Sequence, residues 1–279
     1  MTSMPLSAEA APAPRFGRTL AAMGSALRVG VGQTAAAWPV LGGRCLFYAL
    51  IMVVLTALWD RVAAERVAGA IALPGDLAVY VGVTEWITLS LPALHLKLED
   101  EIRGGLLEPH LLRPKPYFAL AFAQGFGAAL VRLAAVGVTG LALVVVSGRQ
   151  GPPLAALGFI AVLGLLGVAS GMLLYALAGL MAFWARRTLP FQLVIQKLMF
   201  LMGGLFAPVS LYPGWLRQAS EASPFAAHLY WAGAQALAPS AAMFVRGVAW
   251  QAVWIVLLTL ACVAIWRAGL ARVLRRGGV

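Results

Sequence analysis

The chain has 279 residues, of which 62% are hydrophobic and only 11% charged, and its formal net charge is +11. Soluble globular chains are about 45–50% apolar, so this excess excludes a water-facing globule and implies an integral membrane protein, with room for roughly six spans of about 20 residues each. The positive charge is not a nucleic-acid footprint: Lys and Arg flank the apolar runs, as orientation signals do, and no nucleic-acid partner is expected.

Residues 1–14 carry Pro5, Pro12 and Pro14 among Ala and Ser. They lack an apolar core with a cleavage site, and read as a disordered cytoplasmic tail rather than a signal peptide. The remainder, 15–279, reads as a single transmembrane domain. From 16 to 37, Phe16, Leu20, Met23, Leu27 and Val31 recur at helical spacing. Arg15, Arg18 and Arg28 fall largely off that face, which predicts an amphipathic helix on the cytoplasmic membrane surface. Gly24, Gly30 and Gly32 weaken it.

Six spans follow, at about 39–59, 77–96, 118–146, 154–184, 191–211 and 248–266. Trp38 and Trp59 bracket the first as interfacial anchors. With both termini cytoplasmic, 14 Lys and Arg lie inside and 5 outside, leaving Arg132 and Lys197 within spans. That bias satisfies the positive-inside rule. Between spans five and six, Pro208, Pro213, Pro224 and Pro239 break an apolar stretch that no straight helix can cross. Short re-entrant helices on the extracellular side fit it, with Ser223 capping the one that starts at Pro224.

Catalytic signatures are missing. No Lys follows a Gly, so there is no phosphate-binding loop; neither G-x-S-x-G nor H-E-x-x-H occurs. His95, His110 and His228 are scattered, and Cys45 and Cys262 make neither a disulfide framework nor a metal pair. Three ionisable residues sit within spans: Glu85, Arg132 and Lys197. Each costs roughly 2.5–3.5 kcal/mol at mid-bilayer and should face the bundle or a wet cavity. They read either as an ion pair fixing helix packing or as the lining of a substrate path or proton relay. Gly164, Gly167, Gly171 and Ala178 let helices approach closely, which suits bundle packing first and a dimer face second.

The segment 96–118, LKLEDEIRGGLLEPHLLRPKPYF, gathers eight charged residues and four of the ten acidic ones. Read helically, Leu98, Ile102, Leu106 and Leu107 make an apolar edge beside Glu99, Asp100, Glu101 and Arg103. A plain solvated loop has no use for those leucines and the later Leu111 and Leu112. A docking surface for a cytoplasmic partner uses both the charge and the leucines.

This loop resembles that of permease subunits of ABC-2 type ATP-binding cassette transporters, in the bacterial branch of ABC-2 family transporter proteins. Its pattern of a polar helix and then G-x-L-x-x-x-L-L-x-P is matched by Gly105, Leu107, Leu111, Leu112 and, one place late, Pro114. A second likeness is the Pro-Trp and Pro-Phe segment after span five, here Pro213, Trp215, Pro224 and Phe225. The resemblance implies an all-α membrane fold of six spans, with a cytoplasmic coupling helix between spans two and three. That helix would be seated in a separate ATPase subunit. Glu99, Asp100, Glu101 and Arg103 would contact the ATPase by charge, and Ile102, Leu106 and Leu107 would fill its apolar cleft. ATP and Mg would be bound by that partner, with no cofactor or metal on this chain. The resemblance further implies a dimer with an identical or related permease, export as the activity, and the bacterial cytoplasmic membrane as the location. Two other classes stay open on the residues alone: a proton-coupled secondary transporter using Glu85, and a membrane-embedded lipid enzyme, for which the polar groups are too scattered.

Overall fold

In the computed structural model, which describes residues 16–66, 77–105, 116–149 and 151–275, every described element is a helix. The expected tail 1–14 and the loop residues Leu106, Leu107, Leu111, Leu112 and Pro114 lie outside the described residues. In chain order the helices are α1 (Phe16–Ala36), α2 (Trp38–Arg66), α3 (Leu77–Ser90), α4 (Leu94–Arg103), α5 (Tyr117–Ser147) and α6 (Leu154–Leu180). A 3₁₀ turn (Met181–Phe183) follows α6. Then come α7 (Leu189–Met202), α8 (Gly214–Ala222), α9 (Pro224–His228), α10 (Tyr230–Leu237) and α11 (Ala241–Arg275).

Five segments are long and apolar enough to cross a membrane: Trp38–Val62, Leu77–Arg103, Tyr117–Ser147, Leu154–Phe183 and Ala241–Arg275. Four of them fall where the apolar runs predict spans, and the segment Leu77–Arg103 overruns its predicted span to take in α4. At the predicted fifth span, 191–211, the helix is shorter than expected: α7 has 14 residues, about 21 Å of helix against a hydrocarbon core of about 30 Å. The reason is local. The chain turns at Gly203–Gly204, where Gly204 has φ +73°, a left-handed conformation that glycine adopts without strain. Two hydroxyls on α3 hold that turn. Tyr80 donates to the Gly204 carbonyl at 2.5 Å and Thr84 to the Leu205 carbonyl at 2.9 Å.

The segment α3–α4 and α6 form the centre of the bundle, whereas α2, α5 and α11 turn one side outward. Leu46, Leu50, Val53, Val138, Val256 and Leu260 are exposed on these outer helices. Large contiguous apolar surface of this kind is costly in water and natural against lipid chains. Helix α1 is unbroken despite its glycines, and one of them is used. A Cβ at Gly30 would stand 1.9 Å from the Gln124 carbonyl oxygen, and one at Gly127 2.1 Å from that of Leu27. Helix α1 therefore lies backbone-to-backbone on α5. Its packed edge runs through Met23, Leu27, Gly30 and Val31, while Leu20 is exposed.

The small residues of α6 are spent on packing inside this chain. A Cβ at Gly164 would meet the Trp86 ring at 2.6 Å, and one at Gly167 the His228 carbonyl oxygen at 2.4 Å. Between α7 and α11 the prolines punctuate short helices, as expected. The Ser223 hydroxyl caps α9, accepting the Ala226 N–H at 3.3 Å, and Pro224 occupies the first turn. Helices α9 and α10 pack into the bundle against α6 and α3. Gln251 of α11 ties them down by donating to the carbonyls of Leu163 and Ala227, both at 2.9 Å.

Candidate functional site

The segment Leu77–Arg103 is broken at Leu91–Pro92–Ala93. Proline has no N–H and its ring clashes with the carbonyl four residues back, so α3 ends and nearby carbonyls lose their intrahelical partners. Two guanidinium groups take them over. Arg44 of α2 donates to the Leu89 carbonyl at 2.5 Å, and Arg132 of α5 donates to the Leu91 carbonyl at 2.8 Å. The break is thus held from two sides by cations on two separate helices, α2 and α5.

Beyond the break, α4 carries Leu94, Leu98 and Ile102 at spacings of four, all buried along one edge. That edge packs on α6 and the 3₁₀ turn. At Gly179 of α6 a Cβ would stand 2.8 Å from the His95 Cα. Ile102 is only 3% exposed. Ile102, expected in a partner's apolar cleft, packs here within its own chain: its spacing continues the inward stripe of the preceding span, and it anchors α4. Glu99 also turns inward. Its carboxylate accepts the Thr188 N–H at 3.2 Å and the Thr188 hydroxyl, and it takes Arg103 Nη1 at 3.1 Å. Thr188 is the residue that begins α7. On the neighbouring edge, Lys97 Nζ donates to Gln124 Oε1 at 2.6 Å, and Gln124 Nε2 donates to Gln33 Oε1 at 2.9 Å. These bonds join α4 to α5 and α1. Asp100 and Arg103 are exposed and Glu101 is half-buried. The charged edge that α4 offers outward is therefore narrower than the sequence suggests.

Alongside the break lies a cavity of about 720 Å³ between α2, α3, α6 and α7. Its polar lining includes Arg44, Glu85, His95, Arg132 and Gln196, and its apolar wall is dominated by α2. Glu85 and His95 are each 5% exposed. Of the three intramembrane ionisable residues, Glu85 and Arg132 share this cavity and Lys197 does not. The ion pair considered for Glu85 is not formed: among the described residues no ion pair includes it, and Arg132 bonds the Leu91 carbonyl instead. Lys197 is exposed on α7, its Nζ 5.8 Å from the Phe200 ring centre. Among the described residues no cluster of three or more His, Cys, Asp or Glu side chains is arranged to hold a metal ion.

In the segment between α7 and α11, Pro213 precedes α8, Trp215 is exposed and Phe225 packs on the core. Sequence reasoning missed Arg44, which counts there only as an orientation charge. It missed Thr188 and Gln124 because both act on α4 from distant helices. His95 stands out in the sequence only as one of three scattered histidines; its place one residue into α4, behind Pro92, is the signal that ties it to the break.

No curated protein and no solved structure matches the chain. The profile of the ABC-2 family transporter proteins matches residues 76–277, from the start of α3 to the end of α11. Helices α1 and α2, and with them Arg44, precede the matched stretch. A match across most of the chain, over a bundle of apolar helices long enough to cross a membrane several times, shows what this protein is: the chain belongs to the ABC-2 family of transporter proteins, a multi-pass membrane permease of an ABC-type transporter that is not itself catalytic.

Proposed function

We propose that this permease is the translocating subunit of an exporter, working as a dimer with an identical or related permease and driven by separate ATPase subunits. In this reading the ATPase docks at the end of α4 and the loop that follows it, through Asp100, Glu101, Arg103, Leu106 and Leu107. Glu99 and Ile102 transmit rather than touch: they fix α4 to the bundle, so that a push on α4 reaches α1, α5, α6 and α7. ATP and Mg bind to the partner. Both termini face the cytoplasm of a bacterial inner membrane, in keeping with the distribution of Lys and Arg. The helices α8–α10, with Pro213, Trp215, Pro224 and Phe225, lie on the extracellular side. The cavity beside the break is part of the path, and residues 15–279 act as one transmembrane domain.

The observation that carries the reading is the arrangement of α4: a short helix with a charged outer edge whose inner edge and flanks are bonded or packed to three other helices, α5, α6 and α7. The test is purification of the full chain from its host in mild detergent, with a cysteine at position 100 for crosslinking. The expected result is stoichiometric capture of a soluble ATPase with a phosphate loop, through that cysteine. Transport that collapses with the proton gradient and ignores ATP depletion, with no ATPase captured, would transfer the assignment to proton coupling through Glu85.

A further inference from the structure

The cavity beside the helix break is chemically two-ended. At one end Arg44 and Arg132 bond carbonyls only two residues apart, Leu89 and Leu91. Each guanidinium has five N–H donors, and both side chains line the cavity. His95 belongs to the same end. It is buried against the Tyr175 ring, with ring centres 4.8 Å apart, and neither ring nitrogen has a hydrogen-bond partner. Burying a polar group without a partner is costly, and a bound acceptor or donor would relieve that cost.

The other end is apolar. Phe47, Leu50, Ile51, Val54 and Leu55 of α2 form its wall, and Phe206 also lines the cavity. Phe47, Leu50 and Val54 are more than half exposed, so the cavity opens sideways, where lipid chains lie. From Arg44 to Leu55 the wall runs roughly 16 Å along the helix, the reach of a long alkyl chain. Glu85 lines the cavity from α3, about 9 Å along the chain axis from Leu91.

We propose that this cavity binds a membrane-dissolved amphiphile, with a phosphate or carboxylate head between Arg44 and Arg132 and an alkyl tail along α2. Its role as the transported substrate rests on the permease reading above. Charge-assisted bonds to a guanidinium fork are stronger than neutral ones and suit the planar or tetrahedral oxygens of such heads. The lateral opening admits the tail without taking it through water.

The test uses the full chain in phosphatidylcholine nanodiscs and displacement of a fluorescent fatty acid. Oleoyl lysophosphatidate, monoolein with the same tail and a neutral head, and inorganic phosphate are compared as competitors. The expected result is displacement by lysophosphatidate at a concentration at least tenfold lower than by monoolein, and none by millimolar phosphate. Arg44→Gln should shrink the tenfold preference to about threefold or less. Because that variant also loses the Leu89 bond, Thr88→Trp is tested beside it; Thr88 lines the cavity from α3, and an indole there obstructs it and should weaken probe binding. Equal potency of monoolein, displacement by phosphate alone, or undiminished binding in Thr88→Trp overturns the proposal. Diacyl phosphatidylglycerol as a further competitor assigns the source: displacement by it supports a bilayer lipid, and displacement by the single-chain probe alone supports a smaller amphiphile. Co-purification of the ATPase is scored on the same preparation. An ATPase without anion preference sinks only the amphiphile, and anion preference without an ATPase sinks only the permease coupling.

Discussion

Glu99 and Thr188, 89 residues apart in sequence, are joined at the start of α7, where the Glu99 carboxylate takes both the backbone N–H and the hydroxyl of Thr188. A carboxylate at a helix N-terminus satisfies an orphan donor and meets the positive end of the helix dipole. The same carboxylate holds Arg103 one turn along α4. Helices α4 and α7 are thereby linked end to side. At its far end α7 rests on α9, where a Cβ at Gly203 would stand 3.0 Å from the Phe225 carbonyl oxygen. Displacing α4 therefore displaces the start of α7 and whatever rests on its end.

The first prediction concerns that link. Glu99→Gln and Thr188→Ala should each destabilise the protein by about 1 kcal/mol, the usual value of a lost cap. In a double-mutant cycle they should show a coupling of at least about 0.5 kcal/mol, read from SDS-titrated unfolding of the purified protein. Strictly additive losses would mean that the two side chains do not act together. Arg103→Ala should cost little beside them, because an exposed pair one helical turn apart contributes only about 0.3–0.5 kcal/mol.

A second prediction separates the outer from the inner edge of α4. Asp100→Ala with Arg103→Ala should leave the level of protein in the membrane unchanged, since both side chains are exposed. It should lower ATP-driven transport at least severalfold. Ile102→Ala should instead lower the protein level, because truncating a buried Ile costs about 2–5 kcal/mol. Quantitative immunoblotting of membranes beside the transport assay checks both. A double variant that transports normally would remove the outer edge from the coupling surface.

Much of this architecture is legible in the sequence because a bilayer writes simple patterns. Long apolar runs place α5 and α6 within a few residues and locate α2 and α11, whose helices run up to nine residues beyond the predicted spans, and Ser223-Pro224 marks the start of α9 by cap chemistry alone. The short α7 is hard to read, because the apolar character carries on through MFLMGGLFAPVSL, and Gly203–Gly204 and Pro208 are the signals of the turn within it. The direction of α4 is half legible. Leu94, Leu98 and Ile102 continue one stripe from the span before them, but an isolated reading of the charged loop turns that stripe outward. The cavity is the least legible part. Arg44, Glu85, His95 and Arg132 come from four helices, and nothing in their spacing announces that a proline at position 92 gathers two of them.

A third prediction tests the α1–α5 crossing with two glycines of the same helix. Gly30→Ala would place a Cβ 1.9 Å from a backbone oxygen, whereas Gly24 has nothing within 4 Å of its missing Cβ. Gly24→Ala should therefore raise stability by up to about 1 kcal/mol through helix propensity alone. Gly30→Ala should lower it, because backbone cannot yield as a side-chain end does. Cysteine labelling at Met23 should rise in Gly30→Ala and stay at the wild-type level in Gly24→Ala. The same sign for both variants would show that α1 does not lie on α5.

The last prediction concerns the break itself, where proline and arginine answer each other. Arg132→Leu leaves the Leu91 carbonyl without its donor, and an orphaned buried acceptor costs about 1–3 kcal/mol. Pro92→Ala restores an N–H at position 92 and lets the helix run from α3 into α4. The Leu91 carbonyl then gains a backbone partner at His95, four residues on. Pro92→Ala should accordingly rescue most of the stability lost in Arg132→Leu, measured as the midpoint of thermal unfolding in detergent. On its own, Pro92→Ala should disturb the bonds of α4 to Thr188 and Gln124 and lower ATP-driven transport. A double variant as unstable as the sum of the two singles would mean that the guanidinium holds something other than the carbonyl that the proline frees.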